Sequence, residues 1–304
     1  MGKQSISAIA SSSWENLLLW LDELLLNGFA SVQAKDLEQM AGRMVDLQMG
    51  GIARIFRQLA PLDWSDDKLT SRIAADLLDI KMAGALAAQY ENLNEGKQAS
   101  LLAFIVGNQR KPDEQKDVVL EDQWLVLKVK FEKLERVKSR IVWFFGQKSH
   151  RIIYTEDFVF GLNKFEGFFQ FGSHYHSKVA LYPAIVPYRA QMLNSTRVDV
   201  KGFHLPQGIA LSEFIKYYSE VLAEYPINYP IPVLLGKVTI TRYQNQFFLQ
   251  EEEGDLVVPL QIEETTGWNL MSVTISNPIQ IFVQCHRGLY SALAWISNEQ
   301  IMEI

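Results

Sequence analysis

Two histidines, His174 and His176, are separated by one residue and form the most chemically suggestive pair in the sequence. Alternate side chains of a β-strand point to the same face, so such a pair can bind one metal ion. His150, His204 and His286 are the candidates for a third ligand. The alternative is two surface imidazoles beside a turn, and no spacing fixes a third ligand. We therefore predict no bound metal and keep a metal-dependent hydrolase as the weakest functional alternative.

A second candidate group is basic and follows a predicted β-hairpin. Alternation along its strands suggests one basic sheet face that could meet phosphate groups of a nucleic acid. The alternative, which we favour, is a solvated face whose lysines prevent edge pairing. The candidate nucleic-acid-binding residues are Lys128, Lys130, Lys138 and Arg140, and Lys133, Arg136, Lys148 and Arg151 belong to the same run. The aromatic residues of this region could stack on bases, but we expect them to form the core.

The remaining candidate groups do not complete a catalytic site. Asp46, Glu156 and Asp157 are carboxylates that nothing in the sequence pairs with a nucleophile. Gly236-Lys237 lacks the first glycine and the following Ser or Thr of a P-loop. We therefore expect no enzymatic activity and no cofactor.

Composition narrows the functional class further. The chain has 304 residues, a formal net charge of -6 and a single cysteine, Cys285. The net charge argues against binding nucleic acid through bulk charge. One cysteine allows no internal disulfide and no multi-cysteine zinc site. With no signal peptide or spanning segment predicted, we expect a soluble, cytoplasmic protein that does not bind membranes.

Three regions must position these residues, and together they predict an α+β fold. Residues 1–108 carry amphipathic helical patterns and form a helical N-terminal unit. Residues 117–226 contain three apolar runs separated by polar turns, which predict a central antiparallel β-meander. Residues 227–304 contain short strands, among them one predicted at 268–271, with hairpin turns at Gln244-Asn245 and Arg287-Gly288. This last region is predicted to form a small β-barrel-like unit.

Several segments in order carry a resemblance to a known family. They are WLDELLLNGFA (20–30), AGRMVDLQ (41–48), GIAR (51–54), VWFFG (142–146), LYPA (181–184), PYRA (187–190), WNL (268–270) and LAW (293–295). Together they resemble the region that follows the zinc finger in bacterial SWIM zinc-finger family proteins. The finger itself needs a Cys-x-Cys, Cys-x-His ligand set, which a chain with one cysteine cannot supply.

The resemblance implies an accessory protein of a multi-protein assembly. Family members are associated with MoxR-type AAA ATPases and von Willebrand A-domain proteins. Either the zinc finger was lost or it resides on a separate chain, and our hypothesis is the second. The expected partner is then that chain, or such an ATPase or A-domain protein. A nucleic-acid-binding protein that uses the basic hairpin or the C-terminal barrel is the alternative function.

The predicted docking surface lies on the first helix, around Trp14, Leu18 and Trp20. Tryptophan is enriched at binding hot spots, and this helix carries more apolar residues than one core face needs. The alternative is that both tryptophans are buried within the helical unit.

Overall fold

The computed structural model describes residues 12–28, 32–64, 67–107, 111–113, 117–134, 137–186, 188–199, 206–227, 229–275, 277–297 and 300–304. Within these residues the chain forms two compact units. The first comprises residues 1–111 with 183–186 and 225–227, and the second comprises 112–182, 187–224 and 228–304. No described helix is long and apolar enough to cross a membrane. The predicted domain boundary between residues 226 and 227 stays a prediction.

Helices build the first unit, as predicted. They are α1 (Ser12–Asn27), α2 (Ala34–Asp46), α3 (Gly50–Leu59), α4 (Asp67–Ala87) and α5 (Glu95–Val106), with a short 3-10 helix at Tyr90–Asn92. The side chain of Asn94 caps α5 by accepting a hydrogen bond from the Lys97 amide. Gly107 ends the same helix with a φ of +81°, a conformation that glycine adopts readily.

Helices α3 and α5 approach each other closely at Gly51. A β-carbon on Gly51 would lie 1.9 Å from the carbonyl oxygen of Phe104 and 2.8 Å from the amide nitrogen of Gly107. Both contacts are with backbone, so a side chain at this position would force the helices apart. The absence of a side chain therefore sets the distance between α3 and α5.

A five-stranded sheet, sheet A, opens the second unit. Its strands are β1 (Val119–Leu134), β2 (Val137–Gly146), β3 (Ile152–Phe160), β4 (His174–Leu181) and β5 (Ala190–Val198). They lie in the order β3-β2-β1-β4-β5, and every neighbouring pair is antiparallel. The predicted meander is therefore confirmed as β1 to β3.

The centre of sheet A is buried on both faces, which explains the uninterrupted apolar runs at 124–127 and 142–145. One face forms a cluster of Trp124, Val126, Val142, Phe144, Ile153, Tyr175, Val179, Leu181 and Ala190. The other packs Leu125, Leu127, Trp143 and Phe145 against Leu234, Phe282, Leu293, Ala294 and Ile296 of the second sheet. The aromatic residues at the centre of the meander are thus core residues.

The second sheet closes into a barrel. Its strands are β6 (Ile231–Tyr243), β7 (Gln246–Glu251), β8 (Val257–Gln261), β9 (Ile279–His286), β10 (Leu289–Ser297) and β11 (Gln300–Glu303). Strand β6 pairs with β7 and β9, β8 pairs with β7 and in parallel with β10, and β10 pairs with β9. The order β9-β6-β7-β8 is a Greek key. Strands β6 to β10 form the closed ring, and β11 pairs only with β10. A five-stranded Greek-key barrel is the architecture of the OB-fold, and the predicted C-terminal barrel is confirmed.

Two further helices pack on the barrel. Helix α6 (Leu211–Glu224) places Phe214 edge-on against Tyr290, with 5.9 Å between the ring centroids. Helix α7 (Glu264–Thr274) contains residues 268–271, so the strand predicted there is wrong. Glu263 caps α7 by accepting a hydrogen bond from the Thr266 amide, and this local signal outweighs the strand-like composition.

Candidate partner-binding site

A groove of about 340 Å³ lies between α1 and α2 and is the candidate site. Its lining residues are Asn16, Leu17, Trp20, Met40, Arg43, Met44, Asp46 and Leu47. Leu17, Met40 and Met44 are buried and form an apolar floor, whereas Asn16, Arg43 and Asp46 are exposed and form a polar rim. Apolar floors with a few polar groups at the rim are typical of binding sites for ligands and for anchor residues of partners.

Trp20 forms one wall of the groove and is only partly buried. Its ring packs edge-on against the fully buried Phe56 of α3, with 5.9 Å between the centroids and an interplanar angle of 76°. Leu17, Leu21 and Leu24 direct α1 into the core, and Trp20 lies at the edge of that face. Phe56 therefore supports the indole of Trp20 on one side, while part of the indole remains accessible to solvent.

The other two residues of the predicted docking surface lie elsewhere. Trp14 is only 5% exposed. A β-carbon on Gly84 of α4 would lie 2.9 Å from the Leu18 methyl groups and from the Trp14 Nε1 atom. Trp14 and Leu18 therefore pack against α4. Of the three predicted residues, Trp20 is the one that lines the groove and can contact a partner there.

Sequence reasoning did not assign the α2 side of the groove. The relevant residues are Met40, Arg43, Met44, Asp46 and Leu47. A signal was present, because the segment 41–48 that carries part of the family resemblance contains four of them. Val45 of the same segment is exposed and does not belong to the buried face of α2.

The strand register separates the four candidate nucleic-acid-binding residues. Directly paired residues of antiparallel strands lie on the same face, and a β-bulge follows Val126. Lys128 and Lys130 are two residues apart, beyond the bulge, and pair with Trp143 and Ile141, so both lie on one face. Arg140 pairs with Phe131 and Lys138 pairs with Lys133, which places Lys138 and Arg140 on the opposite face. The four cations are therefore distributed over two faces of the sheet.

Arg140 is a buried residue, and the expectation that it lies in water is wrong. Its guanidinium donates to the Asp157 carboxylate at 2.6 and 3.2 Å and to the carbonyl oxygens of Glu166 and Gly167 at 2.9 Å. The rings of Phe165 and Phe169 lie 5.0 and 5.2 Å from it. Arg140 thus fastens the segment that follows β3 to the sheet.

Lys128 and Lys130, the two candidate residues on β1, are engaged in ion pairs. Lys128 lies 3.1 Å from the Glu303 carboxylate and donates to the Ile304 carbonyl oxygen. Lys130 is exposed and lies 2.7 Å from Glu132. Arg136 of the same basic run lies outside the described residues.

The two histidines of the His-x-His pair lie on one face of β4, as predicted for a strand. His176 Nε2 is 3.5 Å from the Glu121 carboxylate, and burial lowers the pKa of His174. Across the described part of the chain, no three His, Cys, Asp or Glu residues are arranged to hold a metal ion. His204 lies outside the described residues. The absence of bound metal stays a prediction.

The candidate carboxylates occupy different places. Asp46 lies at the rim of the α1–α2 groove. Glu156 forms an ion pair with Arg189 at 3.3 Å, and Asp157 forms one with Arg140 at 2.6 Å. These two ion pairs give Glu156 and Asp157 a structural role.

The outer face of the barrel carries aromatic side chains but few cations. Thr241, Phe248 and Pro259 are cross-strand neighbours on it, and Tyr243 is exposed at the end of β6. Residues 231–304 contain three Lys or Arg and eight Asp or Glu. Binding to a polyanion is opposed by this balance of charge.

Residues 7–105 match the family model described as the SWIM-associated four-helix bundle domain. The N-terminal unit is similar to that domain. The predicted resemblance to the body of SWIM-family proteins is thereby confirmed over α1 to α5, which include the groove. No curated protein matches the chain. The cytoplasmic location stays a prediction.

Proposed function

We propose that the protein is a non-enzymatic interaction protein of a multi-protein assembly that binds its partner through the α1–α2 groove. The observation that carries this proposal is the position of Trp20, which is supported by Phe56 and partly exposed above an apolar floor. A rigidly held, partly exposed tryptophan at the wall of a pocket is a frequent binding hot spot.

The groove suits a segment of protein that presents one large apolar anchor residue. Its volume of about 340 Å³ lies at the lower end of the range for small-molecule pockets. Arg43 and Asp46 at the rim can pair with an acidic and a basic group that flank the anchor. An amphipathic helix of a partner supplies this combination and binds grooves in other proteins.

The family resemblance indicates which partners to test first. They are a separate chain that carries the SWIM finger, a MoxR-type AAA ATPase and a von Willebrand A-domain protein. The match to a SWIM-associated domain supports this choice, because the groove lies within the matched residues.

Titration calorimetry with each purified candidate tests the proposal. Replacing Trp20 by alanine removes the wall of the groove, and we expect the affinity to fall at least about tenfold, as at other hot spots. Because Trp20 also packs on Phe56, a second variant, Asp46→Lys, reverses a rim charge without touching the core.

Leu26→Ala is the matched control, since Leu26 lies on the same helix, is highly exposed and does not line the groove. Equal loss of affinity in Leu26→Ala and Trp20→Ala would count against the groove. Binding that neither Trp20→Ala nor Asp46→Lys weakens would refute it.

Binding of single-stranded nucleic acid by the barrel is the second candidate function, because OB-fold barrels use this face for oligonucleotides. Tyr243 and Phe248 are the side chains on which bases would stack. The acidic balance of residues 231–304 disfavours it. Salt-sensitive binding of an oligonucleotide that is lost in Tyr243→Ala would establish it.

A further inference from the structure

Strand β3 leaves part of sheet A's edge unpaired. The Tyr154 amide donates to the Tyr188 carbonyl oxygen at 2.8 Å, so Tyr154 directs its backbone groups to the outer edge. Backbone groups alternate along a strand, and Glu156, Phe158 and Phe160 therefore present theirs to the same edge. Beyond Tyr154, no described strand pairs with this edge.

This edge lacks the usual protection against pairing. Natural edge strands are blunted by lysine, proline, bulges or other charged groups. The segment 156–160 contains no lysine or proline, and its pairing with β2 is regular. Its two carboxylates are already neutralised, Glu156 by Arg189 at 3.3 Å and Asp157 by Arg140 at 2.6 Å.

The exposed side chains at this edge are aromatic. Phe158 and Phe160 are 49% and 64% exposed, and both project from the same face because they are two residues apart. Burying each ring would remove apolar surface from water, which is favourable. An unpaired strand edge with adjacent exposed aromatic rings is suited to the addition of another strand.

The segment is complementary to itself. If two copies pair antiparallel about a two-fold axis at Val159, Phe158 of one copy lies opposite Phe160 of the other. Both residues direct backbone groups outward, so this register forms hydrogen-bonded pairs. The Phe160 carbonyl already accepts from the Asn163 amide at 3.2 Å and retains a second lone pair. Four phenylalanine rings then cluster on one face of a continuous ten-stranded sheet.

We infer that β3 is a self-association surface, through which two copies of this chain form a two-fold dimer by antiparallel pairing of residues 158–160 at the end of the strand. The inference is independent of the proposed partner groove. Because each paired edge has only three residues, the interface falls below about 1,200 Å², so the dimer dissociates on dilution.

The sharpest test uses an engineered cysteine. The one native cysteine, Cys285, is fully buried and contributes no crosslink in the folded protein. Val159 lies at the two-fold axis in a non-hydrogen-bonded pair, where the α-carbons are about 4.5 Å apart and a disulfide can form. Under mild oxidation, Val159→Cys should give a disulfide-linked species of twice the chain mass of 34.8 kDa.

Val118→Cys is the matched control, because Val118 is an exposed valine of the same unit outside β3. It measures crosslinking by random collision. Light scattering at increasing concentration should show the wild type approaching twice the monomer mass. Phe158→Lys should remain monomeric with an unchanged melting temperature, since Phe158 is exposed in the monomer.

Three results would overturn the inference. One is equal crosslinking of Val159→Cys and Val118→Cys. Another is a dimer that persists in Phe158→Lys, which would place the contact elsewhere on the molecule. A protein that stays monomeric at all concentrations while another protein binds the β3 edge would also exclude the self-association.

Discussion

Replacement of Gly51 by alanine should destabilise the helical unit, although alanine is normally the better residue in a helix. The added β-carbon would lie 1.9 Å from the Phe104 carbonyl oxygen and 2.8 Å from the Gly107 amide nitrogen. Neither atom can move away by changing a side-chain rotamer. Helices α3 and α5 must separate instead, which loosens the core around Phe56, the residue that supports Trp20.

The expected magnitude follows from two opposing effects. Alanine gains about 1 kcal/mol over glycine in helix propensity. Overpacking of a well-packed core costs about 1–3 kcal/mol and more where backbone must shift. Because the clash here is with backbone on both sides, we expect the free energy of unfolding to fall by about 2 kcal/mol.

Gly42→Ala is the matched control, since Gly42 lies in α2 and a β-carbon there would meet no atom within 4 Å. It should raise the free energy of unfolding by about 0.5–1 kcal/mol. Urea denaturation followed by helical circular dichroism measures both variants. If Gly51→Ala were as stable as Gly42→Ala, the close approach of α3 and α5 would not constrain this position.

Three further outcomes follow from the structure. Arg140→Met should lower the free energy of unfolding by about 2–3 kcal/mol, because Asp157 loses its partner, whereas Lys138→Met should change it by less than about 0.5 kcal/mol in the same denaturation assay. Hydrogen bonds from the Thr265 and Thr266 amides lower the pKa of Glu263 to about 2 from its ordinary 4.5. The stability that the Glu263 carboxylate gives to α7 should therefore be complete above pH 4.5 and lost as the pH falls towards 2. An NMR titration of the carboxyl group would follow this loss. Burial raises the pKa of the Cys285 thiol, and native protein at neutral pH should react with a thiol reagent only as fast as it unfolds; rapid labelling would contradict the buried position.

Much of the fold follows from local pattern. The helical periodicity of residues 14–106 predicts the helices of the first unit, and the turns Gln244-Asn245 and Arg287-Gly288 define two hairpins of the barrel. All four of these turn residues have positive φ angles, between 46° and 73°, which suits the right-handed twist of a hairpin. The strand predicted at 268–271 is wrong for an equally local reason, because Glu263 caps the helix that contains these residues.

Features that depend on register could not be predicted in the same way. The β-bulge after Val126 shifts the pairing of β1 with β2 by one residue, and nothing in the sequence marks its place. The bulge decides that Lys130 and Arg140 lie on opposite faces. Likewise, the two walls of the groove come from α1 and α2, and only their packing brings Trp20 close to Met44.

Site-specific photo-crosslinking in the native cell tests the central claim most directly. A photoreactive phenylalanine analogue is placed at Asn16, on the rim of the groove, and separately at Leu26, which lies on the same helix outside it. The account predicts a defined crosslinked protein from position 16 that is absent from position 26 and is lost when Asp46→Lys is added. Identical adducts from both positions, or none from position 16 while the partner still co-purifies, would contradict it.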